Sequence, residues 1–336
     1  MKVLFTSAGR RVELIELFKK EGFVTFSVDS DPTAPSLYKA DGSFIVPSVI
    51  KDPESYIESL LALCRKEDID VIVPLIDPEL PVLAKEKNEF IKAGTIVLIS
   101  SYYSVNIASD KYETFEFLKA IGLPVPETII LSKLSSKEIT LSMSMGIFPA
   151  ILKPRHGSAS QGVVQCPNYD CLNLFISKLN PSDYVLQKFV SGEEVTIDLF
   201  GDGTGRLISA VQRKRLKVRG GEVERGITVK YPELFDDVIK FSEAFKPFGP
   251  VNIQCFYNGE TKERFYTEIN ARFGGGYPLS YYAGANFIRY LKMLLKGKKI
   301  GNALGEDYEK GLVMARFDEA VYIREEDLLK INDSSF

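Results

Sequence analysis

The order of apolar and polar positions divides the chain into two regimes. Residues 3–6, VLFT, read as a short buried strand, the next five, SAGRR, as a turn, and residues 12–20 carry apolar positions at helical spacing up to Gly22. A second strand is expected at 25–29, closing on Asp29 with Asp31 just beyond. A helical stretch holding Leu60, Leu61 and Leu63 leads into VIVP at 71–74, and a further apolar run covers 95–99. Strand and helix alternating in this way imply a parallel sheet with helices on its faces. The strand–turn–helix opening can cradle an anion on SAGRR, but the GxGxxG spacing of a dinucleotide site is missing. A plain loop and a site for a substrate carboxylate are the readings left for it.

The pattern changes near residue 105. Asp110 and Glu113 form an Asp version of a capping box, opening a helix with Tyr112, Phe115 and Leu118 on one face and Gly122 and Pro124 at its end. Beyond it, residues 150–153, 163–166, 184–189, 194–200, 207–212, 252–257 and 265–270 read as strands of antiparallel α+β lobes. The last four residues, 333–336, are expected to fray.

Composition narrows the picture. With 336 residues and 45% hydrophobic content the chain can bury a substantial core in two or three lobes. Its 42 Lys and Arg against 45 Asp and Glu leave a net charge of −3, which offers no general attraction to nucleic acid or an acidic membrane surface, so any basic site must be local. Four cysteines (Cys64, Cys166, Cys171 and Cys255) without CxxC spacing, and a single histidine, indicate neither a zinc site nor a disulfide framework, and fit a reducing cytoplasm. No segment approaches the roughly 20 apolar residues of a membrane span, and the N-terminal apolar run is too short for a signal peptide. A soluble cytoplasmic protein is expected.

Candidate chemistry gathers in three places. In YTEINARFGGGYP, residues 266–278, strand alternation points Glu268, Asn270 and Arg272 to one face and Ile269 and Ala271 to the other. A carboxylate and an amide oxygen suit Mg²⁺, with Gln254 of the preceding strand as a further oxygen ligand and Arg272 as a bidentate phosphate contact. The competing reading is an edge strand with a solvated polar face; Gly274, Gly275 and Gly276 weigh against it by admitting an unusual backbone path and close approach of a ligand. In FPAILKPRHGSASQGV, residues 148–163, a strand carrying Lys153 runs into a loop with Gly157, Ser158, Ser160 and Gly162, whose N–H groups suit phosphate oxygens. It is not the GxxxxGK[ST] loop, and a surface hairpin is the alternative. In LQKFVSGEE, residues 186–194, a strand ends in backbone able to pair with a purine edge and in Glu194, which can accept from ribose hydroxyls.

Together, and in this order, the clusters resemble the ATP-grasp superfamily, and nearly the whole chain looks like a single-copy relative of the carbamoyl phosphate synthase large subunit. The resemblance implies an α/β and α+β fold: a Rossmann-like lobe over 1–105, a two-lobed ATP-grasp domain over 106–300 divided near 190, and a segment completing it over 301–336. It implies ATP with Mg²⁺ or Mn²⁺ as cofactors. Lys111 and Lys153 match the cationic ATP contacts, and the loop from Gly157 to Gly162, with Ser158 and Ser160, matches the mobile flap over the phosphates. Lys188 and Val190 match the hinge that meets adenine, with Gln187 where the family often has Glu, and Glu194 matches the ribose contact. Gln254, Glu268 and Asn270 match the metal ligands, and Arg272 the arginine that steadies the transferred phosphoryl group.

The family chemistry is phosphorylation of a carboxylate by ATP, then attack by an amine or similar nucleophile. Carbamoyl phosphate synthase uses two tandem copies and a glutamine-hydrolysing partner, so one copy implies a different acid, with the chain acting as a homodimer or beside a partner subunit. A subunit of a split carbamoyl-phosphate-synthase-like enzyme and a non-catalytic nucleotide-binding regulator are the competing functions. For the acceptor, the basic run QRKRLKVRGG at 212–221 places Arg213 and Arg215 on one strand face as carboxylate contacts, with a solvated loop as the alternative. Tyr277, Ser280 and Tyr281 either line the acceptor pocket or pack, and His156 is read as a solvent or phosphate contact.

Overall fold

A parallel sheet is covered by helices on both faces, so its strands read as continuous apolar runs, and the first hundred residues follow this pattern. The computed structural model describes residues 1–133, 146–157, 161–300 and 308–332. Its first sheet contains β1 (Lys2–Thr6), β2 (Val24–Asp29), β3 (Gly42–Ile45), β4 (Val71–Pro74) and β5 (Ile96–Val97), all parallel, in the order β3-β2-β1-β4-β5. The strand order reverses beside β1, so the loops after β1 and β4 flank a crevice at the carboxyl edge of the sheet, where open α/β sheets bind ligands. β3 was not anticipated, because GSFI is short and only half-buried. The helix Val12–Lys20 buries Leu14, Ile15, Leu17 and Phe18, the residues that its spacing places on one side.

A second sheet, order β6-β9-β7-β8, is built from β6 (Thr128–Ile130), β7 (Ala150–Pro154), β8 (Val164–Cys166) and β9 (Tyr184–Lys188). The helix Lys111–Ala120 precedes it, capped by Asp110, whose Oδ1 accepts from Tyr112 N at 2.8 Å rather than from the third residue of a capping box.

The third sheet is antiparallel and six-stranded. It holds β10 (Glu193–Asp202), β11 (Leu207–Arg219), β12 (Glu222–Val229), β13 (Phe248–Tyr257), β14 (Arg264–Asn270) and β15 (Val313–Ala315), in the order β14-β13-β10-β11-β12-β15. The basic run is therefore ordered strand: β11 continues to Arg219 because β12 pairs with it, and residues 220–221 turn the hairpin with φ of +57° and +79°. One face of this sheet packs on the helix Pro232–Phe245, which buries Leu234, Val238, Phe241 and Phe245. The first and third sheets share a core in which Phe18 meets Phe273 edge to face at 6.0 Å and Tyr281 OH donates to Glu21 at 2.7 Å. Among the described residues no helix is long and apolar enough to cross a membrane.

Candidate active site

Cross-strand register decides which side chains share the open face of the third sheet. Gln254 stands opposite Glu268 and Thr196, Asn252 opposite Asn270 and Asp198, and Thr196 opposite Arg213. A cavity of about 330 Å³ lies over this face. Gln254, Glu268, Asn270 and Arg272 form one wall; Lys153, Gly157, Gln161 and Gln187 come from the second sheet, and Lys111 from the start of its helix. Arg11, from the loop after β1, and the three glycines 274–276 close one end.

The lysines are set in low dielectric. Lys153 is buried, its Nζ donates to Gln187 Oε1 at 2.8 Å, and Gln187 Nε2 donates to Thr128 Oγ1 at 2.8 Å, so Gln187 is pinned as a support for the lysine. Burial pushes the Lys153 ammonium down to about 8, against the pull of Glu268 and with the repulsion of Lys111. Burial likewise lowers Lys111, whose Nζ donates to Gly157 O at 2.9 Å.

Opposite them, Arg272 forks onto Asp77, from the turn after β4, with Nε to Oδ1 at 2.9 Å and Nη2 to Oδ2 at 2.7 Å. Burial works against this cation, but Asp77, with Glu268 and Glu222 adding to it, holds the pKa above its ordinary value. Asp77 is itself placed by buried Glu79, whose Oε1 accepts from Leu75 N and Ile76 N at 2.6 and 3.0 Å.

Two readings of the sequence change here. Arg213 and Arg215 do face the cavity, yet Arg213 is spent on Asp198 through Nε–Oδ2 and Nη2–Oδ1 contacts of 2.6 and 2.8 Å, both side chains 3% exposed. Arg215 pairs with Glu194 at 2.8 Å, so Glu194 faces a cation within its own sheet; burial raises its pKa, and Arg215 only partly opposes this. The glycine triplet has no positive φ; its purpose is close approach, since a Cβ on Gly276 would lie 2.2 Å from Arg213 Nη1.

Lys188 is exposed, its N–H donates to Glu127 O at 2.8 Å, and neither it nor Val190 lines the cavity. Gly162 neighbours the wall beside Pro154 with φ +70°, while Ser158 and Ser160 lie outside the described residues. Ser280, whose Oγ donates to Asp198 at 2.6 Å, and buried Tyr277 are packing residues. His156 is outside the cavity, with Nδ1 2.9 Å from Ser109 O.

The donor set fits a magnesium nucleotide. Among the described residues the side chains of Glu268 and Gln254 make no hydrogen bond or ion pair, and Thr196 Oγ1, between Gln254 and Arg213, is buried without a partner. One carboxylate with two carboxamides is an incomplete oxygen shell, as expected of Mg²⁺ that keeps phosphate and water ligands. Asn270 is more engaged, its Oδ1 accepting from Arg272 at 3.3 Å. The lining carries six cations (Arg11, Lys111, Lys153, Arg213, Arg215, Arg272) against three carboxylates (Glu194, Glu222, Glu268), a local positive excess in a chain of net charge −3. Ile151, Val163 and Phe256 add an apolar stretch of wall.

Known proteins resemble this chain in sequence and in fold. Residues 180–317 match the family model for an ATP-grasp in the biosynthetic pathway with Ter operon, and residues 3–98 match the PylC-like N-terminal domain. The resemblance to ATP-grasp proteins thus lies in residues 180–317, behind an N-terminal part that resembles the PylC-like domain. It is 28% identical over 204 residues to a carbamoyl-phosphate synthase of Methanobrevibacter smithii, covering 60% of this chain and 52% of that protein. It is 23% identical over 301 residues to the carbamoyl phosphate synthase large chain of Clostridium acetobutylicum, covering 84% of this chain and 27% of the relative. The chain thus spans about half or less of the curated relatives it matches. Among solved structures, the biotin carboxylase domain of Hydrogenobacter thermophilus 2-oxoglutarate carboxylase, in complex with MgADP, ADP and bicarbonate, superposes with TM-score 0.75 at 17% identity over 93% of this chain and 73% of that one. N5-carboxyaminoimidazole synthetase of Staphylococcus aureus, complexed with ADP, gives 0.69 at 17% identity over 90% of this chain and 78% of that one. The fold is a Rossmann-like lobe followed by a two-lobed ATP-grasp unit.

Sequence reasoning placed Arg11 only within a turn able to cradle an anion, and it missed Asp77 and Thr196. A signal for Thr196 was present: between Glu194 and Phe200 on β10, Glu194, Thr196 and Asp198 are polar at alternate positions and the residues between them are apolar. Asp77 carries no such signal, because its partner is 195 residues away.

Proposed function

We propose that this protein is an ATP-dependent ligase that activates a small carboxylate as an acyl phosphate for attack by an amine or similar nucleophile. The observation that carries the reading is the convergence of Lys111 and Lys153 from one sheet's side with Gln254, Glu268 and Arg272 from the other on a single cavity. Lys111 and Lys153 would hold the nucleotide phosphates, Glu268 with Gln254 and Asn270 would hold Mg²⁺ or Mn²⁺, and Glu194 would reach the ribose. The bound cation supplies charge neutralisation across the phosphate oxygens.

In the reaction a carboxylate oxygen of the acid forms a bond to the γ-phosphorus as the bond to the bridging oxygen breaks, so ADP leaves with that electron pair. Arg272, pre-aimed by Asp77, stabilises charge on the phosphoryl oxygens as they pass. The nucleophile then bonds to the acyl carbon, inorganic phosphate departs, and the amine proton passes to water.

The test is ADP release by the purified protein with Mg²⁺ and pooled amino acids and small carboxylates, followed by mass analysis of the product. Glu268→Gln, which removes charge and keeps volume, should abolish metal-dependent release while retaining the parent's circular dichroism. A variant that turned over ATP like the parent would sink the metal assignment. A second reading, a subunit of a split carbamoyl-phosphate-synthase-like enzyme, draws on the 27% share of the large-chain relative that this chain matches; ADP release appearing only with a second chain would favour it.

A further inference from the structure

Four arginines line the cavity, and three are occupied: Arg213 by Asp198, Arg215 by Glu194 and Arg272 by Asp77. Arg11 differs. Among the described residues its guanidinium pairs with no carboxylate, and Nη1 donates to the backbone oxygen of Phe273 at 2.8 Å. The carboxylates whose field reaches it are committed elsewhere, Asp77 to Arg272 and Glu222 to Arg10 and Arg316 at 3.3 and 3.5 Å. Burial first, and repulsion from Arg272 second, push the Arg11 guanidinium down to about 10 against the pull of Glu222 and Asp77, so a further anion at this place would relieve the cation.

Its position is chemically specific. Phe273 directly follows Arg272, so the head of Arg11 sits beside the arginine expected at the transferring phosphoryl group, and glycines 274–276 put no side chain on that stretch of wall. The loop that carries it follows β1, on the carboxyl edge of the parallel sheet beside the point where strand order reverses. We propose that Arg11 docks the carboxylate of the acid to be activated, which makes the loop after β1, rather than the basic run on β11, the carboxylate subsite. This rests on the ligase reading above and adds to it the residue and the end of the cavity where the acid enters.

The experiment is isothermal titration of the full chain, first with Mg·AMP-PNP and then, in its presence, with acetate, succinate and each protein L-amino acid as probes. For the probe that binds the parent, Arg11→Gln should raise Kd roughly 10- to 100-fold, the loss of one charge-assisted contact, while the nucleotide Kd stays within about threefold. Arg11→Lys should recover part of the loss, and both variants should melt near the parent, since Gln and Lys can still donate toward Phe273 O. Equal weakening of nucleotide and probe, or a probe Kd unchanged in Arg11→Gln but raised in Arg215→Gln, overturns the proposal. A parent that binds Mg·AMP-PNP and none of the probes also overturns it. A parent that binds no nucleotide overturns the ligase reading, and the subsite with it.

Discussion

Replacing Asp77 with Asn tests how the two ends of the chain are joined at the site. The bond it breaks ties the turn after β4 to Arg272, two residues beyond β14, by two hydrogen bonds of 2.9 and 2.7 Å, with the arginine side chain 10% and the aspartate 24% exposed. Removing one partner of a fully buried pair costs about 3–5 kcal/mol, because a charge is left behind without compensation. Here water can reach the quarter-exposed carboxylate position, and Arg272 keeps Phe273 O and Asn270 Oδ1 as acceptors at 3.2 and 3.3 Å. The cost for Asp77→Asn is therefore set lower, at about 2–3 kcal/mol.

At about 1.5 °C per kcal/mol for 336 residues, melting should fall by roughly 3–5 °C. The same reasoning adds a second readout. An Arg272 without its carboxylate has more to gain from a phosphate, so Mg·AMP-PNP should raise the melting temperature of the variant by more than it raises that of the parent. Thermal melts with and without nucleotide measure both. A variant that melts with the parent shows that Asp77 contributes nothing to holding Arg272, and equal nucleotide stabilisation of both proteins refutes the idea that phosphate and Asp77 serve the same cation.

Two further outcomes are expected. Lys153 titrates near 8 in a cavity that it shares with Lys111 and Glu268, and only its protonated form attracts phosphate, so nucleotide affinity is retained below that value and lost above it: Kd for Mg·AMP-PNP should rise roughly tenfold between pH 7 and 9, whereas in Lys153→Met it should be weak and flat across the range. Gly276→Ala places a Cβ 2.2 Å from Arg213 Nη1 and 2.7 Å from Val223 Cγ1, which displaces the guanidinium from Asp198 and should cost about 2–4 kcal/mol in denaturant unfolding, whereas Gly259→Ala, which meets nothing within 4 Å, should be near neutral.

What the sequence revealed follows from the range of the interactions involved. The helix Val12–Lys20 and the strand Val71–Pro74 were legible to the residue, because helical spacing and a continuous apolar run are written locally. Strand alternation likewise put Glu268, Asn270 and Arg272 together, and Arg213 with Arg215. It could not say what stands opposite. Arg213 and Arg215 looked free for a substrate because Asp198 and Glu194 are on β10, and only the register of β10 with β11 brings the four side chains to one face. β12 was missed for a related reason: EVERGITV carries Gly226 and four polar residues, and it is strand because it has β11 and β15 to pair with.

The same limit explains how a chain of net charge −3 holds a cationic cavity. Its positive groups arrive from the loop after β1, the helix at Lys111, β7, β11 and the end of β14, so no stretch of sequence contains the site's charge. Clustering six cations is unfavourable unless something offsets it, and the fold supplies Asp77, Asp198 and Glu194 behind or beside three of the arginines. Those carboxylates fix the orientation of each guanidinium before any ligand arrives and so lessen the reorganisation left for the moment of reaction. Lys111, Lys153 and Arg11 have no described carboxylate partner; they lean on Gly157 O, Gln187 Oε1 and Phe273 O, neutral acceptors that leave the cation's charge uncancelled. The division predicts where substitutions act: loss of an acidic partner should appear first in stability, and loss of a cation held only by neutral groups should appear first in ligand affinity.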